Sequence, residues 1–391
     1  MLALVPTMAA TMAATIEAAT CSSTLFFLPC SPFSSLPYFH LSHHSLPPSS
    51  PHRPLRCFFE DGGRILGRGP WTRMFSSHAP LIKDESASSH IKEGGKNAEK
   101  QLRLFYNDIY HVELPQGHRF PMHKYRAVRE RIHHANKPNI VLQPSPIART
   151  DDIRTTHCHE YLRRFLCNML TDKENRNIGF PWSPQGVKRT LSSVGGTVAA
   201  MHSSTGHKLA GHIAGGTHHA FRDRGEGFCV FSDIAVAANV ALRDYEHIKK
   251  ILIVDCDVHQ GNGNAVLFQD NPFVFTFSMH CAGNFFSERQ KSDLDVEIPV
   301  HCKDDDYMSL LHYWLPLAVD RSQPDLIFYQ SGVDCLGGDK LGRANLTLDG
   351  VTYRDPTGAQ LQSDHKIRLV VTMGGGYPRD MSPASPEFRY H

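Results

Sequence analysis

One segment, residues 251–263, constrains the fold and the chemistry of this chain more than any other. It reads Ile-Leu-Ile-Val-Asp-Cys-Asp-Val-His-Gln-Gly-Asn-Gly, which predicts a buried strand that runs into a polar turn. Asp255, Asp257 and His259 are two residues apart, so in an extended chain their side chains point to the same face. Without partners, each would cost on the order of several kcal/mol through desolvation. The segment therefore predicts a metal site, a catalytic centre, or both.

Composition excludes several classes of protein. The 391 residues suffice for one large domain or two ordinary ones, and the net charge of +2 argues against tight binding to nucleic acid. The ten cysteines include no Cys-x-x-Cys pair, so neither a zinc ribbon nor a dithiol redox site is indicated. We interpret Cys158, Cys229, Cys256 and Cys335 as free thiols of a reducing compartment. No apolar run approaches the roughly 18 residues of a membrane span.

The first 59 residues differ in composition from the rest of the chain. They are rich in Ser, Ala, Pro and Leu, and Glu17 is their only acidic residue, against the positive Arg53 and Arg56. This bias is typical of an organelle transit peptide, with the plastid ahead of the mitochondrion. The alternative is a disordered tail without a targeting signal, in which case the expected location is the nucleus or the cytoplasm. We assign residues 1–75 to the transit or disordered segment, 76–101 to a linker and 102–391 to the folded domain.

Strand and helix candidates alternate through the folded part. The strand candidates are 139–143, 250–255, 273–279, 326–330 and 367–372, and the helix candidates are 122–133, 159–170, 184–201, 233–245 and 306–319. This alternation predicts a single α/β domain with a central parallel sheet flanked by helices on both faces, whose ligands bind at the carboxyl ends of the strands. The basic residues of the first helix, Lys124 among them, are interleaved with Glu130, which favours a solvated face over a nucleic-acid patch.

Three further patterns follow apolar strands or lie on glycine turns. They are Gly-Gly-Thr-His-His-Ala at 215–220, Ser-Gly-Val-Asp at 331–334 and Met-Gly-Gly-Gly-Tyr at 373–377. Each is a weak signal alone, since a lone Asp after a strand is often a helix cap. Their combination with the 251–263 segment is much more specific.

Together the four patterns supply the groups for metal-assisted hydrolysis of an amide. Asp257, His259 and Asp334 form a metal site with open positions, as catalytic zinc requires. Such a metal acidifies water and polarises a carbonyl. His218 and His219 can transfer protons, and Tyr377 can donate its hydroxyl to a developing oxyanion.

These motifs resemble those of the zinc-dependent histone deacetylases, which have the arginase/deacetylase fold. The resemblance also rests on residues 115–125, Pro-Gln-Gly-His-Arg-Phe-Pro-Met-His-Lys-Tyr, and on 227–233, Gly-Phe-Cys-Val-Phe-Ser-Asp. It covers roughly residues 103–378 in the family's order. It is nearest to the class IV group, because of the Gly-His-Arg-Phe-Pro-Met start and the His-Gln-Gly-Asn-Gly turn.

The resemblance implies a role for each matching residue. Asp257, His259 and Asp334 correspond to zinc ligands, and His219 corresponds to the general base. His218 is its neighbour, oriented by Asp255, and Tyr377 polarises the acyl carbonyl. The remaining implied positions are the acyl-lysine tunnel (Phe228, Phe286 and Gly375) and a structural potassium site (Asp255, Ser278 and Met279).

Two departures from the family pattern bear on activity. Asn262 stands where class I members carry an Asp that partners the second histidine, and a neutral partner stabilises an imidazolium at His219 less. Only fourteen residues follow Tyr377, and residues 356–366 lack the apolar periodicity of the helix usual there. This tail is consistent with a truncated or alternatively spliced form.

The resemblance implies a zinc-dependent hydrolase that removes acetyl or longer acyl groups from lysine in histones or in organellar proteins. It also implies a chromatin and transcription regulator in corepressor-type complexes, with neither sequence-specific nucleic-acid binding nor membrane attachment. Alternatives are a deacetylase of polyamines or other small N-acetyl amines, and a non-catalytic truncated isoform that acts as a binding protein. A binuclear ureohydrolase-like enzyme needs more clustered carboxylates than the sequence offers.

Overall fold

The computed structural model describes residues 101–285, 287–355, 357–358, 360 and 366–379. All of these residues belong to one structural unit. The predicted transit peptide, nearly all of the predicted linker, the tunnel residue Phe286 and the tail from residue 380 onward lie outside the described residues.

Eight parallel strands form the central sheet. They are β1 (Leu102–Tyr106), β2 (Ile140–Pro144), β3 (Leu209–His212), β4 (Ile251–Asp255), β5 (Val274–Cys281), β6 (Leu294–Ile298), β7 (Leu326–Gln330) and β8 (Arg368–Thr372). Their spatial order is β2-β1-β3-β8-β7-β4-β5-β6, and every neighbouring pair is parallel. The predicted α/β domain with a central parallel sheet is confirmed.

Nine α-helices accompany the strands in the described part of the chain. They are α1 (Lys124–Ala135), α2 (Thr150–Ile153), α3 (His159–Leu166), α4 (Asp172–Ile178), α5 (Pro184–His207), α6 (Asp233–Asp244), α7 (Asn262–Phe268), α8 (Asp304–Ser322) and α9 (Leu348–Arg354). Among the described residues, no helix combines the length and the apolar composition needed to cross a bilayer.

Helices cover both faces of the sheet, and strand β4 shows why its sequence is apolar throughout. Leu252 and Val254 lie in one hydrophobic core together with Leu311 of α8. Ile251 and Ile253 point the opposite way into a second core that α5 and α6 share. Because successive side chains alternate between faces, a strand covered on both sides must be apolar at every position.

The structure extends and corrects the sequence-based elements. Strands β1, β3 and β6 were not predicted, and the first helix begins at Lys124 rather than at residue 122. Helix α5 continues six residues beyond the predicted 201, to His207, and stops where Lys208 adopts φ 62°. The solvated-face prediction is wrong for Lys124, whose side chain is buried.

Candidate active site

The predicted site residues meet at the carboxyl edge of the sheet. His218 and His219 follow β3, Asp257 and His259 follow β4, and Asp334 follows β7. Strands β3, β8, β7 and β4 are neighbours in the centre of the sheet, so the loops that leave them converge at one place. His218 and Asp334, which are 116 positions apart in sequence, are thereby brought to the same edge of the sheet.

Asp257, His259 and Asp334 form a buried triad. Each offers one ligand atom, and these atoms all lie within 4.8 Å of one another. His259 Nδ1 lies 3.2 Å from Asp257 Oδ1 and 3.2 Å from Asp334 Oδ2. Among the described residues, this is the one group of three or more acidic, His or Cys side chains with such spacing.

Backbone N–H groups fix the two carboxylates of the triad. Gly375 N donates to Asp257 Oδ2 at 2.8 Å, and Val258 N donates to Asp334 Oδ1 at 2.9 Å. A Cβ at position 375 would lie only 2.2 Å from Asp334 Oδ2 and 2.6 Å from Asp257 Oδ2. Glycine is therefore required at 375 for the backbone to approach the carboxylates this closely.

Electrostatics favour a cation at the triad. Burial raises the pKa of Asp334 and the charge of Asp257 adds to this, so the pKa reaches about 7. Burial lowers the pKa of His259, but hydrogen bonds to Asp257 and Asp334 outweigh it and raise the pKa to about 10. Two carboxylates and one imidazole at this distance fit a zinc ion, which takes these ligands in their ionised and neutral forms.

The two adjacent histidines have opposite environments. His218 Nδ1 lies 2.6 Å from Asp255 Oδ2, and the charges of Asp255 and Asp257 outweigh burial and raise the pKa of His218 to about 9. His219 Nδ1 lies 2.7 Å from Asn262 Oδ1. Burial lowers the pKa of His219 well below its ordinary value, and the neighbouring His218 lowers it further. The pair therefore places a protonated imidazole beside a neutral one.

Asp233, which sequence reasoning did not select for the site, anchors the histidine loop. Its Oδ1 accepts from Thr217 N at 2.7 Å and from Thr217 Oγ1 at 2.6 Å. Its Oδ2 accepts from Gly216 N at 3.1 Å and from Thr197 Oγ1 at 2.5 Å. Asp233 ends the 227–233 motif of the resemblance, which gave it no role, and it opens α6, where acidic residues are common for reasons of helix stability alone.

Tyr377 is held at the end of the glycine turn that follows β8. Its backbone N–H donates to Asp339 Oδ2 at 2.6 Å, and its ring centre lies 6.0 Å from that of Phe228. Burial raises the pKa of Tyr377 well above its ordinary value, and the charges of Asp257 and Asp334 raise it further. The hydroxyl is thus a protonated donor within electrostatic reach of both carboxylates.

Lys124 is a second site residue that the sequence did not reveal. Its Nζ donates to Gly376 O at 3.1 Å and to Gly374 O at 3.4 Å. It also lies 5.2 Å from the centre of the Tyr377 ring. A basic residue in the first turn of an amphipathic helix is usually solvated, and only the tertiary fold brings it beneath the glycine turn.

Aromatic rings cluster beside Tyr377, whose ring centre lies 6.2 Å from that of Phe120. Phe228 lies 5.0 Å from Phe120 and 5.3 Å from Phe180 between ring centres. Phe228 adopts φ 67°, a left-handed conformation that is rare for a bulky residue. Its N–H donates to Ile178 O at 2.7 Å, which helps to hold it there. Phe285 lies 6.0 Å from His219, and its neighbour Phe286 lies outside the described residues.

The residues of the predicted potassium site lie side by side. Asp255 of β4 is paired in register with Ser278 of β5, and Met279 follows it. All three are buried. The potassium prediction is not tested by these contacts and stays a prediction.

Comparison with known proteins identifies the family. Residues 118–386 match the model of the histone deacetylase domain. An uncharacterized protein of a Picosynechococcus species is 40% identical over 282 residues, which cover 71% of this chain and 93% of that protein. Histone deacetylase 2 of Arabidopsis thaliana is 30% identical over 249 residues, 63% of this chain and 59% of its own length. Acetoin utilization protein AcuC of Staphylococcus aureus is 26% identical, over 72% of this chain and 78% of that protein.

A solved structure supports the same fold. The crystal structure of the HDA15 HD domain superposes with a TM-score of 0.58 at 22% identity, covering 70% of this chain and 86% of that one. At that identity the likeness speaks for the fold, while the family match rests on the sequence. The chain belongs to the histone deacetylase family and is a deacetylase of the hydrolase class.

Proposed function

We propose that this protein is a zinc-dependent hydrolase that removes acetyl or longer acyl groups from the Nε atom of lysine in proteins. One observation carries the proposal. The buried ligand atoms of Asp257, His259 and Asp334 lie within 4.8 Å of one another. The accompanying groups differ in protonation: the pKa values of His218 and Tyr377 are raised, and the pKa of His219 is lowered.

Zn²⁺ bound by the triad would supply a Lewis acid that acidifies water and polarises the scissile carbonyl. The protein's own groups do the rest of the work. His219, whose pKa lies well below the ordinary value, is neutral at physiological pH and can accept a proton at Nε2, because its Nδ1 faces Asn262. His218 is held protonated by Asp255 and can return a proton to the leaving amine.

In this proposal Tyr377 donates its hydroxyl to the oxygen that gains charge during the reaction. Asp339 fixes its backbone and Lys124 fixes the turn before it. A preoriented donor of this kind needs no reorganisation when charge develops. The neutral, high-pKa hydroxyl keeps its proton available for that hydrogen bond.

Aromatic walls support a lysine-type substrate. Phe228, Phe120 and Phe180 pack together beside Tyr377, and we take this cluster as the wall for a lysine side chain because an extended aliphatic chain packs well between aromatic faces. The protein substrate is a histone or an organellar protein. Assignment to class IV rests on the sequences of residues 117–122 and 259–263. The plastid or mitochondrial location rests on the composition of residues 1–59.

The test is hydrolysis of fluorogenic acetyl-lysine and long-acyl-lysine peptides by the purified full chain, with zinc measured on the same sample. We expect turnover that disappears in Asp257→Ala and His219→Ala, and a zinc content that falls in Asp257→Ala alone. Turnover of N-acetyl polyamines without turnover of either peptide would show that the substrate is a small acylated amine and not acyl-lysine in a protein. Bound zinc with no turnover of any substrate would sink the enzymatic proposal and favour a binding protein.

A further inference from the structure

A fully buried arginine lies behind the metal triad. Arg354 ends helix α9, and its side chain is 0% exposed. Among the residues that the structure describes, it is the largest completely buried side chain. Its Nε donates to Asp355 Oδ1 at 2.6 Å. The triad itself does not include it, and the proposed chemistry gives it no role.

The guanidinium joins the two loops that carry the metal ligands. Its Nη1 donates to Gly332 O at 2.7 Å and to Cys256 O at 3.3 Å, and its Nη2 donates to Ser331 O at 3.2 Å. Cys256 stands between Asp255 and Asp257 in the loop after β4. Ser331 and Gly332 begin the loop after β7, which leads to Asp334. Nη1 also lies 3.2 Å from Cys335 Sγ, directly beyond Asp334.

These carbonyls need such a donor. Beyond the last pair of a strand, a buried carbonyl has lost its partner in the sheet, and leaving it unpaired is costly. Arginine brings five N–H donors in a rigid plane, so one side chain can serve several carbonyls from two loops at once. A lysine carries its three donors on one atom and has no rigid plane, so it would reach fewer of these acceptors at once.

The charge of Arg354 is matched within the core. Burial opposes the charged form, but Asp355 outweighs it and the pKa of Arg354 lies well above its ordinary value. The guanidinium and Asp355 are both buried, so the pair carries no net charge into the core. Removing one partner alone would leave an uncompensated buried charge.

We propose that Arg354 is a positioning residue that sets the distance between the Asp257 and Asp334 carboxylates by tying the β4 and β7 loops to one guanidinium. This rests on the proposed function, because it assumes that these carboxylates hold a metal. The consequence is specific. Loss of the guanidinium should weaken metal binding and change the coordination geometry by more than an equal loss of stability elsewhere.

The experiment uses the full chain with Arg354→Lys and Arg354→Met. Val240→Ala, in the buried face of α6 and away from the site, is the matched control for lost stability. Zinc affinity is measured by competition with a chelating dye, coordination geometry by the visible absorption of the Co²⁺-substituted protein, and stability by urea unfolding. We expect about tenfold to hundredfold weaker zinc binding in both Arg354 variants, with a changed Co²⁺ spectrum. Val240→Ala should keep both properties.

Wild-type zinc affinity and an unchanged Co²⁺ spectrum in Arg354→Lys would overturn the proposal and leave Arg354 a purely structural residue. Should the Arg354 variants fail to fold, Asp355→Asn tests the same link, since it frees the guanidinium from its anchor and preserves every donor to the loops. An Asp355→Asn protein that loses stability but binds zinc like Val240→Ala would also overturn it. A wild-type chain that binds neither Zn²⁺ nor Co²⁺ would instead refute the proposed function, and this inference with it.

Discussion

Two buried polar clusters lie at the carboxyl edge of the same sheet, and only one of them has the ligand spacing of a metal site. The first is the triad with its two histidines. The second, which we term the closed cluster, consists of Ser145, Thr197, His212, Thr217 and Asp233. His212 lies 3.1 Å from Ser145 Oγ and 2.9 Å from Thr197 Oγ1, while Asp233 accepts from four donors.

The difference lies in how charge is matched. In the closed cluster the one carboxylate is satisfied by N–H and O–H donors, and burial lowers the pKa of His212 to about 3, so the imidazole stays neutral. In the triad two carboxylates and an imidazole face one another and hold protons that a cation can replace. A buried His beside a buried Asp is therefore not enough to indicate a metal site. Two carboxylates and an imidazole that face one another do indicate one.

The largest expected effect is the loss of zinc when one triad carboxylate is neutralised, compared with the same change in the closed cluster. Asp334→Asn should lose bound zinc and fall to background hydrolysis, because it removes one of three ligands. Asp233→Asn should keep zinc and lose about 1–3 kcal/mol of unfolding free energy, because one amide N–H₂ then faces donors. Metal analysis, peptide hydrolysis and urea unfolding of both proteins check this. Equal zinc loss in the two variants would break the comparison.

Next in size is the tyrosine hydroxyl. Tyr377→Phe should lower kcat by about 10²–10³-fold, since one preoriented donor to the oxyanion is lost, and should leave zinc content unchanged. Steady-state kinetics with acetyl-lysine peptide and metal analysis measure both. Tyr125→Phe is the control, as it removes a hydroxyl from the same aromatic surroundings. A kcat within twofold of wild type would exclude Tyr377 from the chemistry.

A smaller loss of kcat is expected when Asp339, which accepts from the Tyr377 N–H, is changed. Asp339→Asn should lower kcat by about tenfold to hundredfold, because an amide N–H₂ would oppose the Tyr377 N–H and displace the ring. The same change combined with Tyr377→Phe should cost no more than Tyr377→Phe alone. Fully additive losses in kcat would show that Asp339 acts elsewhere.

The effect that is smallest at neutral pH concerns the pH dependence of the closed cluster. The folded pKa of His212 is lowered to about 3 against 6.5 when exposed, so the unfolded chain takes up the proton first. Its contribution to stability is complete above about pH 6.5 and is lost as the pH falls toward 3. His212→Gln should reduce the slope of unfolding free energy against pH by about 1.4 kcal/mol per unit between pH 6 and 4. Urea unfolding at several pH values decides; identical slopes in the two proteins would contradict it.

The sequence predicts the architecture and the meeting of the ligands for a simple reason. The apolar runs of β4 and β7 are unambiguous, and the ends of parallel strands must converge at one edge. Strand β3, Leu-Ala-Gly-His, is too short and lacks β-branched residues, and β6, Leu-Asp-Val-Glu-Ile, lies at the sheet edge with a half-exposed pattern. Both escape a search for continuous apolar runs.

The supporting side chains could not be predicted. Lys124 reaches carbonyls some 250 positions away, and Arg354 reaches Cys256 from 98 positions away. A contact of this kind leaves no local period, cap or turn signal in the sequence. Asp339 and Asp233 likewise resemble ordinary loop and helix-start residues until the fold brings the tyrosine and the histidine loop to them.

The left-handed backbone of Phe228 has a consequence for engineering. A phenylalanine at φ 67° costs on the order of 1 kcal/mol or more relative to glycine, which adopts that conformation freely. Packing of the Phe228 ring against Phe120 and Phe180 contributes about 1.5–3 kcal/mol, which exceeds that strain. Selection for heat resistance alone would therefore keep the phenylalanine in its left-handed conformation. Glycine substitution, which commonly stabilises left-handed positions, is expected to destabilise the protein at residue 228.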